Sequence, residues 1–200
     1  MAPKNLLLIQ MSTKITIYYL TGMNGHLAKG LGEALLSRDV DVSGRELVDD
    51  FRALGFQEQI DTVCDDLTNH FCTKDSHVLA NSFGAYLFLH SMAKLNRTYG
   101  GKVLLLSPIV GEFSNEDTLM NFIPPRSTHL YEVAQRGEFP KLTNCEIHVG
   151  SEDWQSNPTN VSRFAELVGI EVHVVQDGGH MLPKDYVGNL LDSWLITNHQ

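Results

Sequence analysis

The stretch that most constrains this chain is residues 77–92, HVLANSFGAYLFLHSM. A short apolar run ends at Ala80, an apolar helix-forming run begins at Gly84, and only Asn81, Ser82 and Phe83 stand between them. In the pattern small-x-Ser-x-small, the residues two before and two after the serine press together across a sharp strand-to-helix turn, so both must be Gly or Ala. Here they are Ala80 and Gly84. Such a turn holds the serine in a strained backbone conformation, with its hydroxyl exposed and the following amides aimed at the same point, the setting of an activated nucleophile. Five letters alone arise by chance roughly 0.1 to 0.2 times in a chain of this length, so the surroundings must carry the assignment.

Those surroundings alternate strand with helix. Residues 15–20 (ITIYYL) form a β-branched and aromatic run closed by the turn signal TGMNG, and residues 26–37 place Leu27, Leu31, Ala34 and Leu35 at helical spacing. Residues 40–48 predict a second strand, weakened and bent by Gly44. Residues 57–71 set Ile60, Val63, Cys64, Leu67 and Phe71 on one helical face with carboxylates opposite. The third strand is 77–80. KVLLL at 102–106 is uniformly apolar, as a strand covered on both faces should be, and CEIHV (145–149) and EVHVV (171–175) give the fifth and sixth. Helices follow at about 159–168 and 184–197. The pattern predicts one α/β domain over 1–200, with a mostly parallel sheet of about six strands and helices on both faces.

One interval breaks the rhythm. Residues 107–144 are far longer than an ordinary connection and hold a helical candidate at 117–122, the Pro124-Pro125 break and a second helix at 128–136. A long excursion from the carboxyl end of a parallel strand overhangs the ligand crevice, which predicts a short lid. Phe113, Met120, Phe122, Ile123 and Tyr131 either line an acyl pocket beneath it or pack it onto the sheet.

A serine hydroxyl needs a base, usually a histidine oriented by a carboxylate. After the fifth strand comes GSEDW, with Asp153; after the sixth comes QDGGHML, with His180. In a parallel sheet these strand ends open on the same side as Ser82. The bland alternatives are a turn serine, a capping or solvated acid with Glu152 as its rival, and a surface histidine. Asp177 reads as a turn former before Gly178-Gly179, His26 and His129 as polar surface residues, and Trp154 as either a seal over the site or simple packing.

On ANSFG, GSEDW followed by Pro158, DGGHML and the order serine, acid, histidine, the chain resembles the α/β-hydrolase fold family in its small single-domain form, over nearly its whole length. That resemblance implies Ser82 as nucleophile, His180 as general base and then acid, and Asp153 as the group that fixes the imidazole. It also implies an oxyanion hole from the amides of Phe83 and Met23, with Gly22, Asn24, Phe113 and Phe122 toward the substrate. The expected reaction is cleavage of a small carboxylester or thioester through an acyl-enzyme, with no metal or organic cofactor. The chain departs from the family in Ala80 at the first small position, in Thr21-Gly22 where many relatives have His-Gly, and in lacking an opening antiparallel strand pair. A binding or regulatory module that keeps the fold without turnover is the alternative.

Composition narrows the partners. A net charge of −9 and 20% charged residues without a basic run argue against nucleic acid or an anionic membrane as the main partner. Three cysteines with no C-x-x-C pair predict neither a disulfide framework nor a zinc site, and fit a reduced cytoplasmic setting. MAPKNLLLIQ carries too short an apolar run for the core of a signal peptide. Because Met11 opens a second plausible start, residues 1–10 are either an upstream extension or carry an extra strand at 6–9. Oligomeric state is not legible.

Overall fold

The computed structural model describes residues 14–70, 76–115, 117 and 119–196. Its first half runs β1 (Thr16–Met23), α1 (Leu31–Leu36), β2 (Asp41–Leu47), α2 (Asp49–Ala53), α3 (Phe56–His70), β3 (His77–Asn81) and α4 (Phe83–Leu95). Its second half runs β4 (Tyr99–Leu106), β5 (Phe113–Asn115), β6 (Met120–Phe122), α5 (His129–Gln135), β7 (Leu142–Gly150), α6 (Pro158–Val168), β8 (Glu171–Val175) and α7 (Lys184–Trp194). Six strands form one sheet in the order β2-β1-β3-β4-β7-β8, every neighbouring pair parallel. β5 and β6 make a separate antiparallel hairpin.

The central strands send alternate side chains to opposite faces. Tyr18, Leu20, Val78, Ala80, Val103 and Leu105 join one buried cluster, completed by α3, α4, α5 and α6. Ile17, Tyr19, Leu79, Leu104 and Leu106 join the other, with Leu35 of α1 and Leu191 and Trp194 of α7. Because both faces are covered, these strands carry no polar side, and unbroken apolar runs such as KVLLL follow directly. α4 is buried from Phe83 to Met92, so it is a core helix, where α3 and α6 show one apolar face each. No helix among the described residues is long and apolar enough to cross a membrane.

Several expectations need correction. The helix expected over 117–122 gives way to strand at Met120–Phe122: Phe113 faces Phe122 across the antiparallel β5/β6 ladder with ring centroids 5.1 Å apart, a contact that extended backbone supplies. The helix expected over 26–37 is confined to Leu31–Leu36. The segment before it is held as a turn by Glu46, which accepts from the Leu27 amide at 2.7 Å, and Gly30 is left-handed (φ 57°). The short α2 escaped notice because five residues carry too little periodicity to be read. β1, β4 and β7 extend beyond their apolar cores, β8 matches its expected bounds, and the possible strand at 6–9 lies outside the described residues, as does the whole of 1–10.

Candidate active site

Ser82 joins β3 to α4 with φ 53° and ψ −122°, a conformation that L-residues adopt at a cost of about 1–3 kcal/mol. The turn is clamped on every side. The Ser82 amide donates to the Leu106 carbonyl at 3.0 Å, and its carbonyl accepts from Ile109 at 3.3 Å and Tyr86 at 3.2 Å. Gly84 is packed so closely against β1 that a Cβ there would lie 2.3 Å from the carbonyl oxygens of both Leu20 and Thr21. That contact is the physical content of the small-residue rule at the elbow.

His180 and Asp153 come to the same point from the ends of β8 and β7. The Ser82 Oγ lies 2.9 Å from His180 Nε2, and His180 Nδ1 lies 3.0 Å from both carboxylate oxygens of Asp153. The two loops are stitched together: the Ser151 amide donates to Val175, the Glu152 amide to Gly178, and the Asp177 amide to Ser151 Oγ. Asp153 is 1% exposed, and its Oδ1 also accepts from the amides of Gln155 and Ser156 at 3.0 and 2.8 Å. Two amides and an imidazole thus satisfy this buried carboxyl group, which in turn fixes the ring beside it. Its rival Glu152 is exposed. Asp177 is exposed and left-handed (φ 58°), which fits a turn former.

The residues expected around this centre divide. Phe83 opens α4, where the first amides have no intrahelical acceptor. In the loop after β1, the Gly22 amide donates to Asn81 Oδ1, Asn24 to the Leu47 carbonyl and Gly25 to the Gly22 carbonyl, while Met23 ends β1 in register with Leu47 of β2. Gly22 is buried against Asn81 and Ser82, and its missing side chain makes room for the elbow. Asn24 turns its side-chain oxygen to Arg52. Phe122 sets its edge on Phe83 at 6.4 Å, while Phe113 sets its edge on Trp154 at 5.7 Å. The hairpin therefore bridges the residue after Ser82 and the residue after Asp153. Tyr131 instead packs on Phe164 of α6.

Asn81 was not singled out by sequence, yet its Oδ1 accepts from both the Gly22 amide and the Tyr19 hydroxyl, at 3.0 and 2.9 Å, and so ties the elbow to the loop after β1. Its position beside Ser82 in the turn was the available signal. His26 meets Glu46 at 3.2 Å. His129 stacks at 5.5 Å on His90, a buried imidazole that also packs against Tyr86 and Phe56.

No family model matches the sequence, and none of the curated proteins matches it. Solved structures do match in shape. The ydeN gene product of B. subtilis superposes with a TM-score of 0.62 at 16% identity, over 91% of this chain and 98% of that one. A carboxylesterase of the thaumarchaeon Nitrososphaera gargenis gives 0.60 at 14% identity over 90% and 89%. A monoacylglycerol lipase of Paleococcus ferrophilus gives 0.59 at 12% over 90% and 93%. With a hydrolase of the alpha/beta superfamily from Xanthomonas campestris also among the matches, the all-parallel six-stranded sheet and the serine turn between β3 and α4 identify the architecture: this chain has an α/β-hydrolase fold, in a minimal form.

Proposed function

We propose that the protein is a serine hydrolase that cleaves a small carboxylester or thioester through an acyl-enzyme. The observation that carries this reading is the continuous line from Ser82 Oγ to His180 Nε2 (2.9 Å) and from His180 Nδ1 to Asp153 (3.0 Å). Ser82 Oγ attacks the substrate carbonyl as its proton passes to Nε2, while Nδ1–H donates to Asp153 and holds the ring in register. The oxyanion is received by the amides of Phe83 and Met23. His180 then gives its proton to the departing alkoxide or thiolate. A water, deprotonated by the same nitrogen, attacks the acyl carbon and frees the acid and Ser82.

The surroundings favour an apolar acyl group. Met23 is 44% exposed, Phe122 38% and Met181, next to His180, 87%, so three residues adjoining the centre offer apolar surface to solvent. The match to proteins named as a carboxylesterase and a monoacylglycerol lipase agrees with ester chemistry. The net charge of −9 is consistent with a small-molecule substrate rather than nucleic acid.

The test is intact-mass analysis after incubation with a fluorophosphonate, beside Ser82→Ala and His180→Ala. A single adduct mapped to Ser82, absent in the first variant and slowed in the second, is the expected result. Folded protein that takes no adduct overturns the proposal in favour of a binding module on the same fold.

A further inference from the structure

The last two strands of the sheet carry the same two-residue step, Glu146-Ile147-His148 in β7 and Glu171-Val172-His173 in β8. Their parallel register pairs Glu146 with Glu171 and His148 with His173. Because residues two apart in a strand share a face, both glutamates and both histidines lie on one side of the sheet edge. Ile147 and Val149 point to the opposite core. The chain thus builds a two-by-two patch of carboxylate and imidazole that the hydrolytic centre does not use.

The distances inside the patch are those of a coordination shell. His148 Nε2 lies 3.5 Å from Glu146 Oε2, His173 Nε2 lies 3.8 Å from the same oxygen, and His173 Nε2 lies 3.5 Å from Glu171 Oε1. One ligand atom each from Glu146, His148 and His173 falls within 4.8 Å of the others. Two donors about 2.0–2.1 Å from a tetrahedral zinc ion stand about 3.3 Å apart, so little closure is needed. The rings of His148 and His173 are stacked at 4.5 Å and 17°, and a tilt of the part-exposed His173 ring brings its lone pair onto the shared point.

His148 supplies the independent sign of a missing ligand. It is 4% exposed, and its Nε2 is buried with no hydrogen-bond partner. Its Nδ1 lies 2.7 Å from the Tyr186 hydroxyl of α7. With the proton on Nδ1, donated to Tyr186, Nε2 directs a lone pair at the Glu146 carboxylate, and two acceptors confront each other in a low-dielectric setting. With the proton on Nε2, the 3.5 Å gap is too long for a sound hydrogen bond. A cation between them resolves both cases. The Nδ1–H to Tyr186 contact is then the outer hydrogen bond that orients most metal-bound imidazoles.

We propose that Glu146, His148 and His173 bind a divalent transition metal, best matched by zinc, with Glu171 as the fourth ligand. Two imidazoles and carboxylates in a compact set favour zinc over the harder calcium and magnesium, which take all-oxygen shells. The ion would cross-link β7 to the edge strand β8, whose next turn carries His180, so its role is to pin the edge of the sheet.

The experiment is titration of the metal-stripped full chain with zinc chloride against a chromophoric chelator, with thermal unfolding followed in parallel. One zinc per chain and a raised melting temperature are expected. His173→Ala and Glu146→Gln, both at solvent-reachable positions, should weaken binding at least tenfold and remove the thermal shift. Tyr186→Phe should weaken it about tenfold through the lost outer hydrogen bond. His180→Ala should leave the affinity unchanged, which separates this site from the hydrolytic centre. Absence of stoichiometric binding, affinity that survives His173→Ala, or affinity lost with His180→Ala overturns the assignment and leaves the patch an ion-pair cluster only.

Discussion

Replacing Gly84 with Ala tests the elbow directly. Gly84 lies in the first turn of α4, in the helical range of φ, so the backbone accepts alanine, and helix propensity alone favours it by about 1 kcal/mol. Space does not. The new Cβ would stand 2.3 Å from the carbonyl oxygens of Leu20 and Thr21, whereas a carbon and an oxygen rest at about 3.3 Å. The helix must therefore retreat from β1 by about 1 Å. Both obstructing atoms are backbone, so the cost falls near the upper end of overpacking, about 3 kcal/mol. Less the propensity gain, the net loss is about 2 kcal/mol, or about 4–8 °C in Tm for a domain of this size. Ser82 moves with the helix, and a misplacement of about 1 Å lowers a reaction rate about 100-fold. Thermal unfolding and the rate of fluorophosphonate labelling are the assays. Gly188→Ala in α7 is the control, because its Cβ would meet only Arg38 Nη2 at 3.6 Å; it should gain about 0.5–1 kcal/mol. Equal behaviour of the two variants, or a Gly84→Ala protein with unchanged Tm and labelling, refutes the steric account.

Two further outcomes follow from buried polar groups. Burial, then His129 and Arg126, lowers the His90 imidazole to about 3. Between an unfolded value of about 6.5 and that level the unfolded chain binds a proton the native one refuses, so stability falls by about 1.4 kcal/mol per pH unit as pH drops. His90→Leu should remove that slope in urea unfolding at pH 4, 5 and 6, and an unchanged slope contradicts it. Asp66 accepts from Arg45 Nε and Nη2 at 2.7 and 2.8 Å and from the Tyr18 hydroxyl at 2.6 Å. Asp66→Ala should cost about 2 kcal/mol, discounted because the Arg45 side chain is 38% exposed; calorimetry showing under 0.5 kcal/mol would count against the network.

The parts legible in the sequence are those where one physical rule acts alone. Strands 102–106 and 171–175 were readable because a doubly covered strand must be apolar and an edge strand at least alternates. Ser82, Asp153 and His180 were readable because each stands just past a strand end, and parallel strands end together. What escaped depended on contacts between distant segments. The β5/β6 hairpin needs Phe113 to meet Phe122, the turn before α1 needs Glu46 from β2 to reach Leu27, and the role of Asn81 needs Tyr19 and Gly22 beside it. The Glu-x-His steps were visible as letters, but only the β7/β8 register brings them together.

Ser82 itself offers the sharpest separation of function from stability. At φ 53° and ψ −122° any side chain is strained by about 1–3 kcal/mol, and glycine is not. Elsewhere glycine is less stable than alanine by about 0.5–1 kcal/mol through its backbone freedom. Ser82→Gly and Ser82→Ala lose the same hydroxyl and the same hydrogen bond to His180, so their difference isolates the backbone. The usual order should reverse, with the glycine variant more stable than the alanine variant by about 1 kcal/mol, or about 2–4 °C in Tm, while neither takes up fluorophosphonate. A fold used only for binding has no need to hold a serine in this conformation, whereas a nucleophile must be held with its hydroxyl toward His180 and the Phe83 amide behind it. If alanine proves the more stable of the two, the turn is relaxed in solution, and the strained presentation of Ser82 cannot be part of its chemistry.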